Sequence, residues 1–172
     1  MIAYKFLRRD GTSVFTGFSW PLPGEGSPGE WIEADLEPCR SGIHACRVAH
    51  LPLWAGQVMY EVELAGDIAM DGTKVIGSRG RLTRRLEAWD ELRDSYTRMC
   101  ADRAHELARA PTPALEEWEA VIEPALGEGP ALLGFVTARI AEELSGAEGY
   151  RAERARQSQW LAERLGLQTS EE

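Results

Sequence analysis

Asparagine is absent from this chain of 172 residues, and lysine occurs only twice, so arginine carries nearly all of the positive charge. That bias is typical of a GC-rich coding sequence, such as an actinobacterial one, and it says little about mechanism. No apolar run approaches the ~20 residues that a membrane-spanning helix requires. The opening residues, MIAYKFLRRDG, lack the basic, apolar and small-residue order of a signal peptide. These absences predict a bacterial protein of the cytoplasm.

Cysteine is also scarce, with three residues at positions 39, 46 and 100. A small, odd number fits a reducing compartment and argues against a framework of disulfide bonds. The sequence contains no C-x2-C pair, which is the spacing that established zinc folds usually show. A metal site in this chain would therefore depend on a less regular set of ligands.

A net positive charge is lacking in both halves of the chain, and the second half carries the whole acidic excess. Residues 1–85 hold 10 basic and 10 acidic side chains, whereas residues 86–172 hold 9 basic and 18 acidic ones. A general binder of duplex DNA needs a positive footprint, so this acidic half argues against nucleic acid. It favours a basic protein partner, or self-association, as the function of a binding or interaction protein.

The first half of the chain has the alternation of strands. The best segment places an apolar residue at every second position from Val58 to Leu64, with glutamates between them. Turn residues rich in glycine and proline separate the segments. The candidate strands are residues 2–7, 11–20, 30–35, 41–46, 57–68 and 73–86.

From about residue 84 the apolar spacing becomes helical, and it predicts a long helix that ends near Leu107. A short helix is expected to begin at Pro113 with Thr112 as its N-cap. The sequence GEGP interrupts the helical pattern, and two more helices follow it. The last helix is expected over 147–165, and Gly166 suits its C-terminal cap. Strands first and helices later predict an α+β fold. A β-rich domain of five or six short strands (1–85) is expected to pack with an acidic region of three or four helices (86–172) as one globular unit.

The segment PCRSGIHACRVAH concentrates cysteine and histidine. On a strand, His44 and Cys46 share one face, and Cys39 can reach that face from the preceding turn. These three form a possible zinc site with an open position, which His50 or Cys100 would close. Alternatively, the cysteines are small buried apolar residues and His44 hydrogen-bonds within the core. A third hypothesis is that Cys46 is a nucleophile, although His44, beside it on the same strand, is poorly placed to act as its base.

Charged pairs mark two neighbouring strands. Glu61 and Glu63 share one face of the best strand and invite a general acid–base role. Arg79 and Arg81 stand at the same spacing on the next strand. If the strands pair, the four side chains can form cross-strand ion pairs; if they do not, the arginines can bind an anion.

The order of short motifs resembles a domain of unknown function that occurs in phages and bacteria, actinobacteria included. Its members carry a Y-x-F strand, a cysteine, a G-[large apolar]-H-x-C core, an E-V-E strand and a K-V strand that ends in basic residues. The resemblance spans about residues 2–86 and implies no activity. The matching positions are Tyr4, Phe6, Cys39, Gly42, Ile43, His44, Cys46, Glu61, Val62, Glu63, Lys74 and Val75.

The segment GIHAC is also similar to a strand of small ADP-ribosyltransferase-like folds. That analogy implies that His44 would hold the nicotinamide ribose of NAD and that Glu61 or Glu63 would be the catalytic carboxylate. The chain lacks the first-strand His or Arg and the Ser-Thr-Ser or repeated Tyr motifs of those enzymes. Three hypotheses therefore stand: a binding or interaction protein, an NAD-using transferase, and a small zinc protein.

Overall fold

The computed structural model describes residues 1–37, 41–112, 115 and 117–168, and over these ranges the protein has the predicted α+β fold. Strands come first along the described chain. They are β1 (Ile2–Leu7), β2 (Ile32–Glu33), β3 (Ile43–Ala45), β4 (Val58–Asp71) and β5 (Lys74–Arg85). A 3-10 turn (Val48–His50) and a one-turn helix, α1 (Leu51–Trp54), connect β3 to β4. The later helices are α2 (Ala88–Ala108), α3 (Glu119–Glu128) and α4 (Pro130–Leu165).

The strands form one antiparallel sheet that closes on itself. The order is β1-β4-β5-β2, and β3 pairs with β5 beside β2. Tyr4 and Cys46 exchange both backbone hydrogen bonds, at 2.8 Å each. Because Cys46 directly follows β3, this pair joins the outer edge of β1 to β3 and completes a ring of β1, β4, β5 and β3.

Two apolar cores follow from the alternation along the strands. The inner face of the ring carries the predicted stripe of β4, from Val58 to Leu64, together with Ala3, Leu7 and Trp20. The opposite face carries Tyr4, Phe6, Cys46 and Met59, which pack against Trp89, Tyr96 and the other buried residues of the helices. The Phe6 and Trp89 rings meet edge to face, with 5.4 Å between their centroids.

The predicted strand over residues 11–20 is wrong. This segment makes only two isolated bridges, Leu7–Ser13 and Thr12–Ser19. The Asp10 carboxylate accepts hydrogen bonds from the backbone N–H and the hydroxyl of Thr12, at 3.0 and 2.7 Å. This local turn competes with strand pairing, and it overrides the β-propensity of the valine and phenylalanines that follow.

The described part of the short helix, α3, begins at Glu119, after the predicted start. Pro113 lies outside the described residues. Leu115 donates to the Thr112 carbonyl at 2.9 Å and Trp118 donates to the Leu115 carbonyl at 3.1 Å. These bonds span three residues rather than four, so the chain before α3 is wound more tightly than an α-helix.

Helix α4 consists of two arms that meet at Ser145 and Gly146, whose backbone angles are not helical. The Gln157 amide donates to the Gly134 carbonyl at 3.0 Å, so the second arm runs back along the first. The second arm ends as predicted, at Gly166, whose left-handed conformation caps the last turn. This helical hairpin packs on α2 and places the second arm beside α1.

Candidate functional site

The cysteine–histidine segment lies at the junction between the ring of strands and the helices. Ile43 and Ala45 face the inner core, and therefore His44 and Cys46 lie on the opposite face of β3 and its continuation. The Cys46 side chain is 1% exposed and packs among apolar residues, whereas His44 is half-buried.

The electrostatic surroundings keep both groups neutral. Burial raises the pKa of the Cys46 thiol to about 12, so it is not a thiolate at neutral pH. Burial, followed by the ammonium groups of Lys5 and Lys74, lowers the pKa of His44. The Gly42 backbone and the Asp71 carboxylate oppose this shift. A neutral imidazole beside an inert thiol is the arrangement of a packed junction rather than of an activated nucleophile.

The other candidate metal ligands are dispersed or undescribed. Cys100 is fully buried in α2, and burial raises its pKa to about 12. His50 lies at the end of the 3-10 turn, against α4. Over the described ranges, no three His, Cys, Asp or Glu side chains lie close enough together to hold a metal ion. Cys39 lies outside the described residues, so the zinc hypothesis that depends on it stays a prediction.

Sequence reasoning missed Lys5, which shares the inner face of β1 with Ala3 and Leu7. Its ammonium donates a 2.7 Å hydrogen bond to the His44 carbonyl and lies 4.9 Å from the centre of the Trp20 ring. No described carboxylate forms an ion pair with it. Burial lowers the pKa of Lys5 to about 8. The signal was present in IAYKFL, where a lysine occupies an inward position of an alternating strand.

The paired glutamates of β4 are bound by arginines of β5. Arg81 donates to Glu63 through Nε and Nη2, at 2.9 and 2.7 Å. Arg84 donates to Glu61 at 2.9 Å, and the Thr83 hydroxyl donates to the same carboxylate at 2.7 Å. A register shift between Glu61 and Val62 makes Thr83 an extra residue in β5, so Arg84 stands opposite Glu61, whereas Arg79 stands opposite Ala65.

The candidate anion contacts, Arg79 and Arg81, enclose an aromatic ring. Their guanidinium carbons lie 4.4 and 4.5 Å from the centre of the Trp31 ring. Arg79 also lies 3.7 Å from the exposed Glu33 carboxylate. Since both arginines already have an acidic and an aromatic neighbour, they brace the strands on this side of the sheet.

A second surface of interest is acidic and apolar, and it is formed by α3 and the first turns of α4. Residues 110–138 contain five glutamates and no lysine or arginine. In α3, Glu119 and Glu123 lie 3.9 and 3.8 Å from the ring nitrogens of His105. Large apolar side chains on this surface are between 39% and 44% exposed, namely Val121, Leu126, Leu132 and Phe135. We call these apolar side chains, together with the exposed Glu117, Glu119, Glu123 and Glu128, the acidic surface.

Residues 1–94 match the model of a protein family described as a domain of unknown function, DUF7666. The chain belongs to this family. The DUF7666 match covers β1 to β5, the Tyr4–Cys46 pair and the first turns of α2. It confirms the prediction that a domain of unknown function occupies the first half of the chain. Its occurrence in phages and actinobacteria and its motif of cysteines and histidine stay predictions. No curated protein and no solved structure matches the chain.

A membrane-crossing helix would have to be both long and strongly apolar, and no helix of the DUF7666 protein over the described ranges meets both conditions.

Proposed function

We propose that this DUF7666 protein is a binding protein that docks a basic protein partner on the acidic surface. The observation that carries the proposal is the complete lack of lysine and arginine across residues 110–138, beside exposed apolar side chains. A surface of one charge sign attracts the opposite sign and steers its approach. The partner is therefore expected to present arginine or lysine around an apolar contact.

The carboxylates of the acidic surface are available for such a partner. Glu117, Glu119, Glu123 and Glu128 are all exposed, and none of them forms an ion pair with an arginine or lysine of the described chain. By contrast, the glutamates of β4 are each held by an arginine. The protein thus neutralises acidic side chains on the sheet and leaves them unneutralised on α3.

The apolar side chains supply the other half of the interface. Val121 and Leu126 flank the buried side of α3 and are 41% and 39% exposed. Leu132 and Phe135 stand on the following helix and are each 44% exposed. Apolar residues at the centre of a contact, with charges around them, form the usual anatomy of a protein interface.

Site-specific photo-crosslinking in the source cells tests the proposal. A photoreactive residue at Val121 is expected to capture a partner protein with a basic surface, and the same residue at exposed Glu148 on the second arm of α4 is the matched control. Glu119→Lys combined with Glu123→Lys should abolish the crosslink without changing the melting temperature, because both side chains are exposed.

The proposal fails if the crosslink survives this charge reversal or appears equally from Glu148. Capture of a second copy of the chain alone would replace the basic partner by self-association. Added salt should weaken the capture, because exposed charges are screened.

A further inference from the structure

Arg154 is an almost completely buried cation without an acidic partner. The residue is 9% exposed, in the second arm of α4. Its Nη1 donates to the Gln157 side-chain oxygen at 3.1 Å, and its Nε lies 3.4 Å from the Tyr150 hydroxyl. The guanidinium also lies over the Phe135 and Tyr150 rings, at 5.8 and 5.4 Å. No carboxylate of the described chain forms an ion pair with it.

The neighbouring carboxylate is already occupied. Glu153 accepts two hydrogen bonds from Arg156, at 2.6 and 2.9 Å, and one from Gln157 at 3.0 Å. Arg103 approaches the same carboxylate at 3.5 Å. Arg103 also pairs with Glu106 at 2.7 Å, so the two glutamates balance Arg103 and Arg156, and the charge of Arg154 is left over.

Burial of a guanidinium without an acidic partner costs free energy, because the charge loses its hydration. Neutral acceptors and aromatic rings compensate only part of the lost hydration. An anion that enters from solvent would supply the missing partner.

Arg154 lines a groove through which such an anion can enter. The groove has a volume of about 780 Å³ and lies between α1 and the second arm of α4. That size falls within the range of small-molecule sites. Its walls are mainly apolar, with Pro52, Leu53, Ala155 and Ala162 among them. Arg151 adds a second positive charge, and Glu163 a negative one, whose carboxylate accepts a 2.8 Å hydrogen bond from Gln159.

We propose that this groove binds a small organic carboxylate with a hydrocarbon body, and that Arg154 is the residue that binds the carboxylate. The planar guanidinium matches a carboxylate with two parallel hydrogen bonds. The hydrocarbon body lies against the apolar wall formed by Pro52, Leu53 and Ala155. A single negative charge matches the net charge of +1 that Arg154, Arg151 and Glu163 give the groove, whereas a doubly charged phosphate would exceed it. The groove shares no lining residue with the acidic surface, although the Arg154 guanidinium also lies over Phe135 of that surface, and the site goes beyond the proposed protein partner.

Titration calorimetry with octanoate, well below the concentration at which it forms micelles, tests the site on the full chain. Octanoate is expected to bind one molecule per chain. Acetate carries the charge without the body, and 1-octanol carries the body without the charge, so each should bind about ten- to a hundredfold more weakly. Equal binding of octanol would reduce the groove to an apolar surface, and preferred binding of octyl phosphate would overturn the carboxylate assignment.

Variants separate a binding arginine from a structural one. Arg154→Met should weaken octanoate about ten- to a hundredfold and leave the melting temperature of the free protein unchanged or higher, because an unpaired buried charge is removed. Arg164→Met, on the same arm but over the Trp160 ring at 4.5 Å, is the matched control and should bind octanoate as the natural protein does. Undiminished binding by Arg154→Met would overturn the proposal.

A second variant keeps the test decisive if Arg154→Met does not fold. Ala155 is exposed on the wall of the groove, so Ala155→Trp is expected to fold and to fill the space that the ligand needs. Octanoate should then not bind. Binding of unchanged strength in Ala155→Trp would show that the ligand lies elsewhere.

Discussion

Tyr4 and Cys46 close the ring of strands through two backbone hydrogen bonds of 2.8 Å, and no other residues of β1 and of the chain after β3 are paired in this way within the described ranges. The closure directs the Cys46 side chain away from the inner core and into the contact with the helices. The segment that carries cysteine and histidine in the sequence thus joins the two layers of the fold.

Burial of the thiols predicts their reactivity. Burial raises the pKa of both Cys46 and Cys100 to about 12, and both side chains are inaccessible. In a Cys39→Ser variant, neither remaining thiol is expected to react with a disulfide reagent at pH 8 until the protein unfolds, and two should then react. Ellman absorbance with and without denaturant measures this. A thiol that reacts rapidly in the folded variant would contradict the buried position of Cys46 or Cys100.

Lys5 predicts a pH dependence of stability. Its pKa is about 8 in the folded protein and 10.5 ordinarily, so between these values the unfolded chain binds more protons. The unfavourable contribution of Lys5 is therefore complete below pH 8 and is relieved as the pH rises to about 10.5. The free energy of unfolding of the natural protein, minus that of Lys5→Met, should rise over this interval by on the order of 1–2 kcal/mol after solvent screening.

Urea unfolding of the two proteins at several pH values measures this difference. The tyrosines and cysteines that titrate in the same interval are common to both chains, so their contributions cancel. A difference that stays flat from pH 7 to 10.5 would show that the Lys5 ammonium is hydrated like a surface lysine.

The Glu153 carboxylate predicts a large loss of stability when it is removed. Its side chain is 3% exposed and interacts with Arg103, Arg156 and Gln157. Glu153→Ala is expected to lower the free energy of unfolding by about 3 kcal/mol, because these donors lose their shared acceptor. Glu142, which pairs with Arg139 and is 29% exposed, is the matched control. Glu142→Ala should cost less than about 1 kcal/mol in the same urea titration.

Two glycines of the helices predict opposite effects of a methyl group. A Cβ at Gly149 would overlap the carbonyl oxygen of Ala141 at the start of the second arm of α4. Gly149→Ala should therefore destabilise the protein by more than about 2 kcal/mol. A Cβ at Gly127 in α3 meets nothing within 4 Å, so Gly127→Ala should raise the free energy of unfolding by up to about 1 kcal/mol. Thermal unfolding of the two variants checks the contrast, and equal effects would refute the tight packing at Gly149.

The sequence predicted those parts of the fold that depend on short periodicities. Alternation correctly placed Val58 to Leu64 on one face and His44 with Cys46 on another. The bulge at Thr83 could not be read in this way, because a single extra residue changes no propensity and yet moves the residue opposite Glu61 from Thr83 to Arg84. The strand predicted over 11–20 is absent for a similar reason. A hydrogen bond to the Asp10 side chain stabilises a turn there, and this local contact outweighs the β-propensity of the segment.

The groove was beyond sequence reasoning altogether. Arg154 is one of several arginines in the charged last helix, and its position in the sequence does not distinguish it from Arg151 and Arg156. Only the return of the second arm along the first, at Ser145 and Gly146, buries Arg154 and leaves Arg151 exposed. Burial of this kind depends on contacts between distant segments, which no local pattern encodes.

The closed ring also constrains how this chain can be recognised. Three separate segments cover the outer edge of β5. β3 pairs with residues 75–77 and β2 pairs with residues 79–80, while the Gly29 backbone N–H donates to the Leu82 carbonyl at 2.8 Å. β1 has its outer edge bonded at Tyr4 and Leu7. A partner that adds a strand of its own along β5 would first have to displace one of these segments. The same cover shields β5 from edge-to-edge aggregation with other chains.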